Sequence, residues 1–213
     1  MSRIATALSV SLDGYIAGPQ DGPGQPLGAG GRELFAWYGS GDTPSRYYPE
    51  FRMSKQSAAF FDAGAAQVGA VITGRRTYDI AGGWGGRGPM PSVPVPVFVL
   101  THKAPEPVPE DESGYTFVTD GVESAVADAG AALEADGTGR DVVAVMGAGA
   151  VRACLRAGLL DELTLHLVPV VLGGGVRLLD HLDPARINFE CTGVLDAPGV
   201  THLSYRVGYE TPA

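Results

Sequence analysis

The chain has 213 residues and a mass of 22.0 kDa, with 45% hydrophobic and 18% charged residues. That is enough apolar side chain for a buried core and excludes a disordered chain. Gly and Pro together account for 47 of 213 residues, about 22%. This stays below the roughly 25–30% at which low complexity becomes the better reading, so a single loop-rich domain over 1–213 is expected. A net charge of −9 repels phosphate backbones and anionic lipid, which argues against nucleic acid or a membrane surface as a general partner.

Residues 3–10 (RIATALSV) form an apolar run of strand length, ended by Asp13-Gly14. Residues 18–50 carry Gly, Pro and aromatic residues without period and read as a long loop, a candidate lid. A helix is expected over Met53–Ala66 with Phe60 and Phe61 on its apolar face, then a short buried strand, Ala70–Thr73, entering Gly74 and a brief helix from Arg75. Gly82–Pro94 is a loop, and Val95–Thr101 and Tyr115–Val118 are strands. Asp120, with Glu123 three residues on, predicts a capping box opening a helix that Gly137 ends. Val142–Met146 is an apolar strand, and Val151, Cys154 and Leu155 give helical spacing up to Gly158. Leu163–Leu172 is a strand, and 187–195 and 201–209 read as a terminal antiparallel pair. Strands alternating with helices and then strand following strand predict an α/β domain with a mostly parallel sheet and an antiparallel edge. The 101–140 stretch, with nine acids and two bases, reads as an acidic flank.

Cys154 and Cys191 are too few for a disulfide framework, and the four histidines have no ligand-spaced partners, so no metal is expected. With no signal-peptide pattern and no run near the ~18 apolar residues of a membrane span, a cytoplasmic setting is expected.

Two strand–glycine–helix junctions stand out, ITGRRT (72–77) and VMGAGAV (145–151). Each puts free backbone N–H groups at the carboxyl end of a strand, where ligands of open α/β sheets sit. Either turn alone is equally a tight turn and nothing more. The second is not a Rossmann fingerprint, because Arg152 stands where the third glycine would be and the next strand ends without an acid. Residues 70–103 contain Arg75, Arg76, Arg87 and Lys103 against one acid, Asp79. If the strands ending at Gly74 and Thr101 are neighbours, Thr101, His102 and the cations gather at one edge. Such a cluster suits a phosphate monoester and favours NADPH over NADH; a solvated surface is the alternative.

The order SVSLDGYIAG (9–18), VITGRRTY (71–78), VFVLTHK (97–103), VVAVMGAGAV (142–151) and LLDELTLHLVPVVLGGG (159–175) resembles the dihydrofolate reductase fold. The branch it resembles most is that of the reductase domain of the riboflavin-biosynthesis deaminase–reductase. The resemblance spans about residues 3–209 and implies a central mixed sheet, flanked by helices, that binds NADPH in an extended pose. It implies that Gly74, Arg75, Arg76 and Thr77 hold the pyrophosphate and 2′-phosphate side, and that Leu100, Thr101 and His102 flank the adenosine. Gly147, Ala148, Gly149, Ala150 and Val151 would meet the pyrophosphate and nicotinamide end, with Ile16 and Ala17 against the nicotinamide. The sequence departs from the reductase pattern in two places. Ser57-Ala58-Ala59-Phe60-Phe61 lacks the pterin-binding acid, the nearest being Asp62 a turn later, and Gly147-Ala148 replaces a paired glycine.

For the substrate pocket the candidates are Ser9, Asp13 and His166. Asp13 reads first as the turn residue before Gly14, and His166 is equally a satisfied core histidine. Trp37, Tyr38, Tyr47 and Tyr48 offer a wall for a flat heterocycle or plain core packing. The expected activity is NADPH-dependent reduction of a C=N or C=O bond in a small heterocyclic or sugar-derived substrate, 5-amino-6-ribosylaminouracil-like or pterin-like. The alternatives are a catalytically silent binding protein on the same fold, or a flavin in place of NADPH. A homodimer paired through the terminal strands and the LVPVVLG segment is expected.

Overall fold

In the computed structural model, residues 2–106, 114–183 and 186–210 are described. Part of the acidic flank (107–113) and the head of the terminal strand segment (184–185) lie outside them. The middle of the sheet is made of apolar runs because both of its faces are covered. β1 (Arg3–Ser11) continues through β2 (Tyr15–Ala17), β3 (Thr43–Pro44) and β4 (Arg52–Met53) to helix α1 (Lys55–Ala65). Then come β5 (Val68–Gly74), α2 (Arg75–Ile80), β6 (Val97–Leu100), β7 (Tyr115–Val118), α3 (Val122–Asp136), β8 (Val142–Met146) and α4 (Ala148–Ala157). β9 (Glu162–Val168), β10 (Val176–Arg177), β11 (Ile187–Ala197) and β12 (Val200–Tyr209) complete the order.

The main sheet runs β11-β12-β9-β1-β8-β5-β6-β7. Pairings from β9 to β7 are parallel, while β12 meets β9 and β11 in antiparallel fashion, the expected edge. Residue parity assigns the faces. Ile4, Ala70, Ile72, Val143, Val145 and Leu163 pack against α3 and α4 in one core, whereas Val71, Val97 and Val99 point the other way to Tyr78 and Tyr115. A further cluster on that second side joins Leu34, Trp37, Met53 and Ala58 to Val168 and Val200. No described helix is long and apolar enough to cross a membrane.

Three expectations need correction. The capping box at Asp120 is not formed. Gly121 is the N-cap at φ 103, a conformation open to glycine, so the helix begins after it and Asp120 accepts from Thr119 Oγ1 instead. The strand expected to reach Leu172 ends at Val168, because Pro169 has no N–H to continue the ladder. The 18–50 segment is not featureless: Gly31–Gly39 is a 3-10 helix. At three residues per turn, Leu34 and Trp37 fall on one face, and both are buried. Trp37 is 1% exposed, so Trp37→Ala is expected to cost about 3–5 kcal/mol, measured as a reduced urea midpoint at unchanged m-value.

Candidate active site

β5 and β8 are parallel neighbours with Thr73 opposite Met146, so their glycines leave the sheet at one level. Gly147 caps α4 at φ 83, and no side chain caps that helix, which leaves its first amides free. A Cβ on Gly147 would lie 2.2 Å from Thr77 Oγ1, and one on Gly74 only 3.9 Å from Ala150 N. The two turns therefore touch. Above Gly149 a Cβ would meet nothing within 4 Å, so that surface is open to a ligand. Uncapped amides, a bare glycine surface and adjacent arginines form a donor set that fits an anionic dinucleotide.

β6 lies beside β5 with Gly74 opposite Leu100, as the charge argument required. Arg75 Nη1 donates to the Lys103 carbonyl at 3.1 Å, so Arg75 leans toward the β6 end, and its Nε pairs with Asp79 at 2.8 Å. Thr101 is less available than expected, because its hydroxyl donates to the Lys103 carbonyl at 2.8 Å. His102 is exposed beside it. Arg76 turns away from this edge to Asp21, a partner that lies 55 residues earlier and carries no sequence signal.

Ile16 and Ala17 sit on a two-stranded ribbon, β2 against β10, with Ala17 opposite Val176. Arg152 of α4 donates to the Arg177 carbonyl at 2.9 Å, which ties the ribbon to the helix that follows the second glycine turn. Gly175, at φ 118, lies where a Cβ would be 2.1 Å from the Ala17 carbonyl oxygen. The ribbon needs that glycine to close.

Asp13 accepts from Ser11 Oγ at 2.6 Å, Gly173 N at 2.7 Å and Leu172 N at 3.1 Å. The Ser11 hydroxyl first, and then these amides, hold its carboxyl down to about 2. It clamps the 172–173 backbone to the β1–β2 turn, a more specific task than either sequence alternative. Asp62 faces away from the sheet, accepting from Ser45 Oγ and Arg46 N.

Ser9, His166 and His202 form one row across three strands, Ser9 opposite His166 and His166 opposite His202. Sequence reasoning missed His202. Its signal was the same-parity spacing of Val200 and His202 in the last strand, which turns both toward one face. Ser9 Oγ accepts from Trp37 Nε1 at 3.0 Å, and the two Nδ1 atoms of His166 and His202 are 2.8 Å apart. His202 Nε2 meets Ser57 Oγ at 3.0 Å, with Phe60 stacked on the His202 ring at 4.7 Å. Ser57 thus stands where the resemblance expects an acid, and what it meets is an imidazole.

Ser9, His166 and His202 are buried, as are their partners Ser57 and Trp37. Burial pushes His166 down to about 3, aided by its neighbour's charge, and burial pushes His202 down to about 4. Both are neutral in the folded protein, while an unfolded histidine protonates near pH ~6.5. The unfolded state therefore binds more protons below that pH. The stability contributed by keeping the pair neutral is complete above pH ~6.5 and is lost as pH falls toward the folded values. The melting temperature is expected to decline steadily from pH 6.5 to 5, ahead of carboxylate titration, and a flat profile would contradict the buried neutral pair.

A family model for the RibD C-terminal domain matches residues 3–203. Among solved structures, a candidate riboflavin biosynthesis protein from Shewanella sp. PV-4 superposes with a TM-score of 0.68 at 24% identity, covering 98% of this chain and 99% of that one. A dihydrofolate reductase from Enterococcus faecalis, complexed with NADP(H) and RAB-propyl, gives a TM-score of 0.53 at 12% identity over 98% and 97% of the two chains. No curated protein sequence matches the chain. The sheet order and these likenesses agree on a dihydrofolate reductase-like fold, and the chain belongs to the RibD C-terminal domain family.

Proposed function

We propose that the protein is an NADPH-dependent reductase acting on a C=N or C=O bond of a small heterocyclic or sugar-derived substrate, of the 5-amino-6-ribosylaminouracil or pterin kind. The observation that carries this reading is the contact between the two glycine turns, Gly147 against Thr77, at the carboxyl edge of adjacent parallel strands. Family membership supports a reductase in riboflavin biosynthesis, and the NADP(H) bound to the Enterococcus relative supports the cofactor.

When bound, NADPH supplies the hydride. The chain's own residues bind and orient. The α4 amides and Gly149 receive the pyrophosphate, Arg75 at the β6 end recognises the 2′-phosphate, and the Ile16–Ala17 ribbon lines the nicotinamide end. Asp13 is held ionised by its three donors, and the histidine pair is neutral and bonded to itself. Neither is a strong acid, so the proton comes from water.

One observation favours the silent binding protein as a second reading: Ser9 Oγ, the Asp13 carboxylate and His166 Nδ1 each have a hydrogen-bond partner within the chain. Isothermal titration of NADPH and NADH against wild type and Arg75→Ala tests the cofactor. Wild type is expected to bind NADPH at least tenfold tighter, and the variant to lose that preference; equal binding of both nucleotides by wild type would contradict it. NADPH oxidation by a heterocycle panel then separates enzyme from binder.

We also propose a homodimer paired through the terminal strands and the 167–173 segment, supported by the exposure of Val171, Phe189 and Val194. Light scattering is expected to give twice the chain mass, and a monomer mass would refute it.

A further inference from the structure

The two arginines that open α2 hold their acids differently. Arg75 pairs within its own helix, with Asp79. Arg76 reaches out of its helix, its Nη2 donating to Asp21 Oδ1 at 2.8 Å and to the Asp21 carbonyl at 2.9 Å. Asp21 is the more enclosed partner, its side chain 15% exposed against 66% for Arg76. It is delivered by a finger of residues 18–29, closed at its neck by Gly18 N to the Leu27 carbonyl and Ala29 N to the Pro19 carbonyl, each 2.8 Å. Gln20, the residue before it, sits at φ 62, a left-handed conformation that non-glycine residues adopt under constraint. No residue from 19 to 26 is buried, so core packing does not hold the tip. The finger also leads on directly from Ala17, the end of the ribbon that lines the nicotinamide end.

We propose that Asp21 is a resident anion of the dinucleotide site. Its carboxylate occupies on Arg76 the position that an oxygen of the cofactor's pyrophosphate takes on binding. This rests on the cofactor reading above and names the charge the cofactor must displace. A guanidinium donates to carboxylate and phosphate oxygens alike, so the exchange leaves the arginine paired before and after. The pyrophosphate is common to both nicotinamide dinucleotides, so Asp21 competes with each to the same degree. Selection of the 2′-phosphate lies with Arg75, which faces the other way.

The test is a titration of NADP+ and of NAD+ against wild type, Asp21→Asn, Arg76→Ala and the double variant, with a melting curve for each to establish folding. Asp21→Asn is expected to bind both nucleotides about two- to tenfold tighter with their ratio unchanged, and to gain nothing in the Arg76→Ala background. Asp21→Gly, which removes the side chain altogether, is expected to reproduce the gain. Unchanged or weaker binding by Asp21→Asn, a gain that survives without Arg76, or a gain confined to NADP+ would overturn the resident anion alone. If neither nucleotide binds wild type or variant, the cofactor reading itself falls, and this inference with it.

Discussion

The approach of the two glycine turns depends on the absence of one carbon atom. Gly147 carries φ 83, and any side chain there would place its Cβ 2.2 Å from Thr77 Oγ1. Because β5 and β8 run parallel with Thr73 opposite Met146, the helices that follow them begin side by side. A larger residue at 147 would be doubly unfavourable, strained in its backbone and in collision with α2. The two helix starts would have to part, and with them the strand ends that bring Arg75 and the α4 amides to one edge. The paired glycine expected by resemblance is reduced to Gly147-Ala148, yet the essential glycine is the one retained. Ala148 is the first residue of α4, where a methyl group costs nothing and helps the helix.

The face that carries Ser9, His166 and His202 follows a different logic. The resemblance leads one to expect a buried carboxylate in α1, but Ser57 is there, and a buried carboxylate without a cation would be costly. The chain instead closes a neutral network in which Ser57, His202 and His166 are hydrogen-bonded, with Trp37 donating to Ser9 alongside. Among the described residues no fully buried side-chain nitrogen or oxygen lacks a partner.

How much of this could be read beforehand follows the range of each interaction. Strands and helices with their own apolar period were legible, and β7, β8 and α4 lie where the pattern put them. The start of α3 was missed because Asp120 and Glu123 satisfy a local rule that the φ of Gly121 overrides. Trp37 was noticed as one of several aromatics, but its burial required recognising a period of three inside a segment rich in glycine and proline. The two adjacent glycine turns and the arginines beside the first were visible in the motif order. Asp21 and His202 were not, since their partners lie 55 and 36 residues away and depend on which strands and turns become neighbours. Asp13 was legible as a turn, while its grip on residues 172 and 173 was not, for the same reason.

The arginine edge and the histidine row also differ in how readily they can rearrange. At the cation-rich end the contacts are surface ion pairs, typically worth about 0–1 kcal/mol each because solvent replaces what is lost. Another anion can exchange with Asp21 there without disturbing a packed residue. At the histidine end, access requires lifting the 3-10 turn that carries Leu34 and Trp37, both essentially without exposure, and breaking hydrogen bonds in a dry environment where each unmet partner costs about 1–3 kcal/mol. The asymmetry gives an order to events. Under the proposed reading, charge exchange at Arg76 is the easy step, and the finger that carries Asp21 is joined to the Ile16–Ala17 ribbon. Any opening of the buried face must then draw its free energy from ligand contacts made there, since the ion pairs are too weak to supply it.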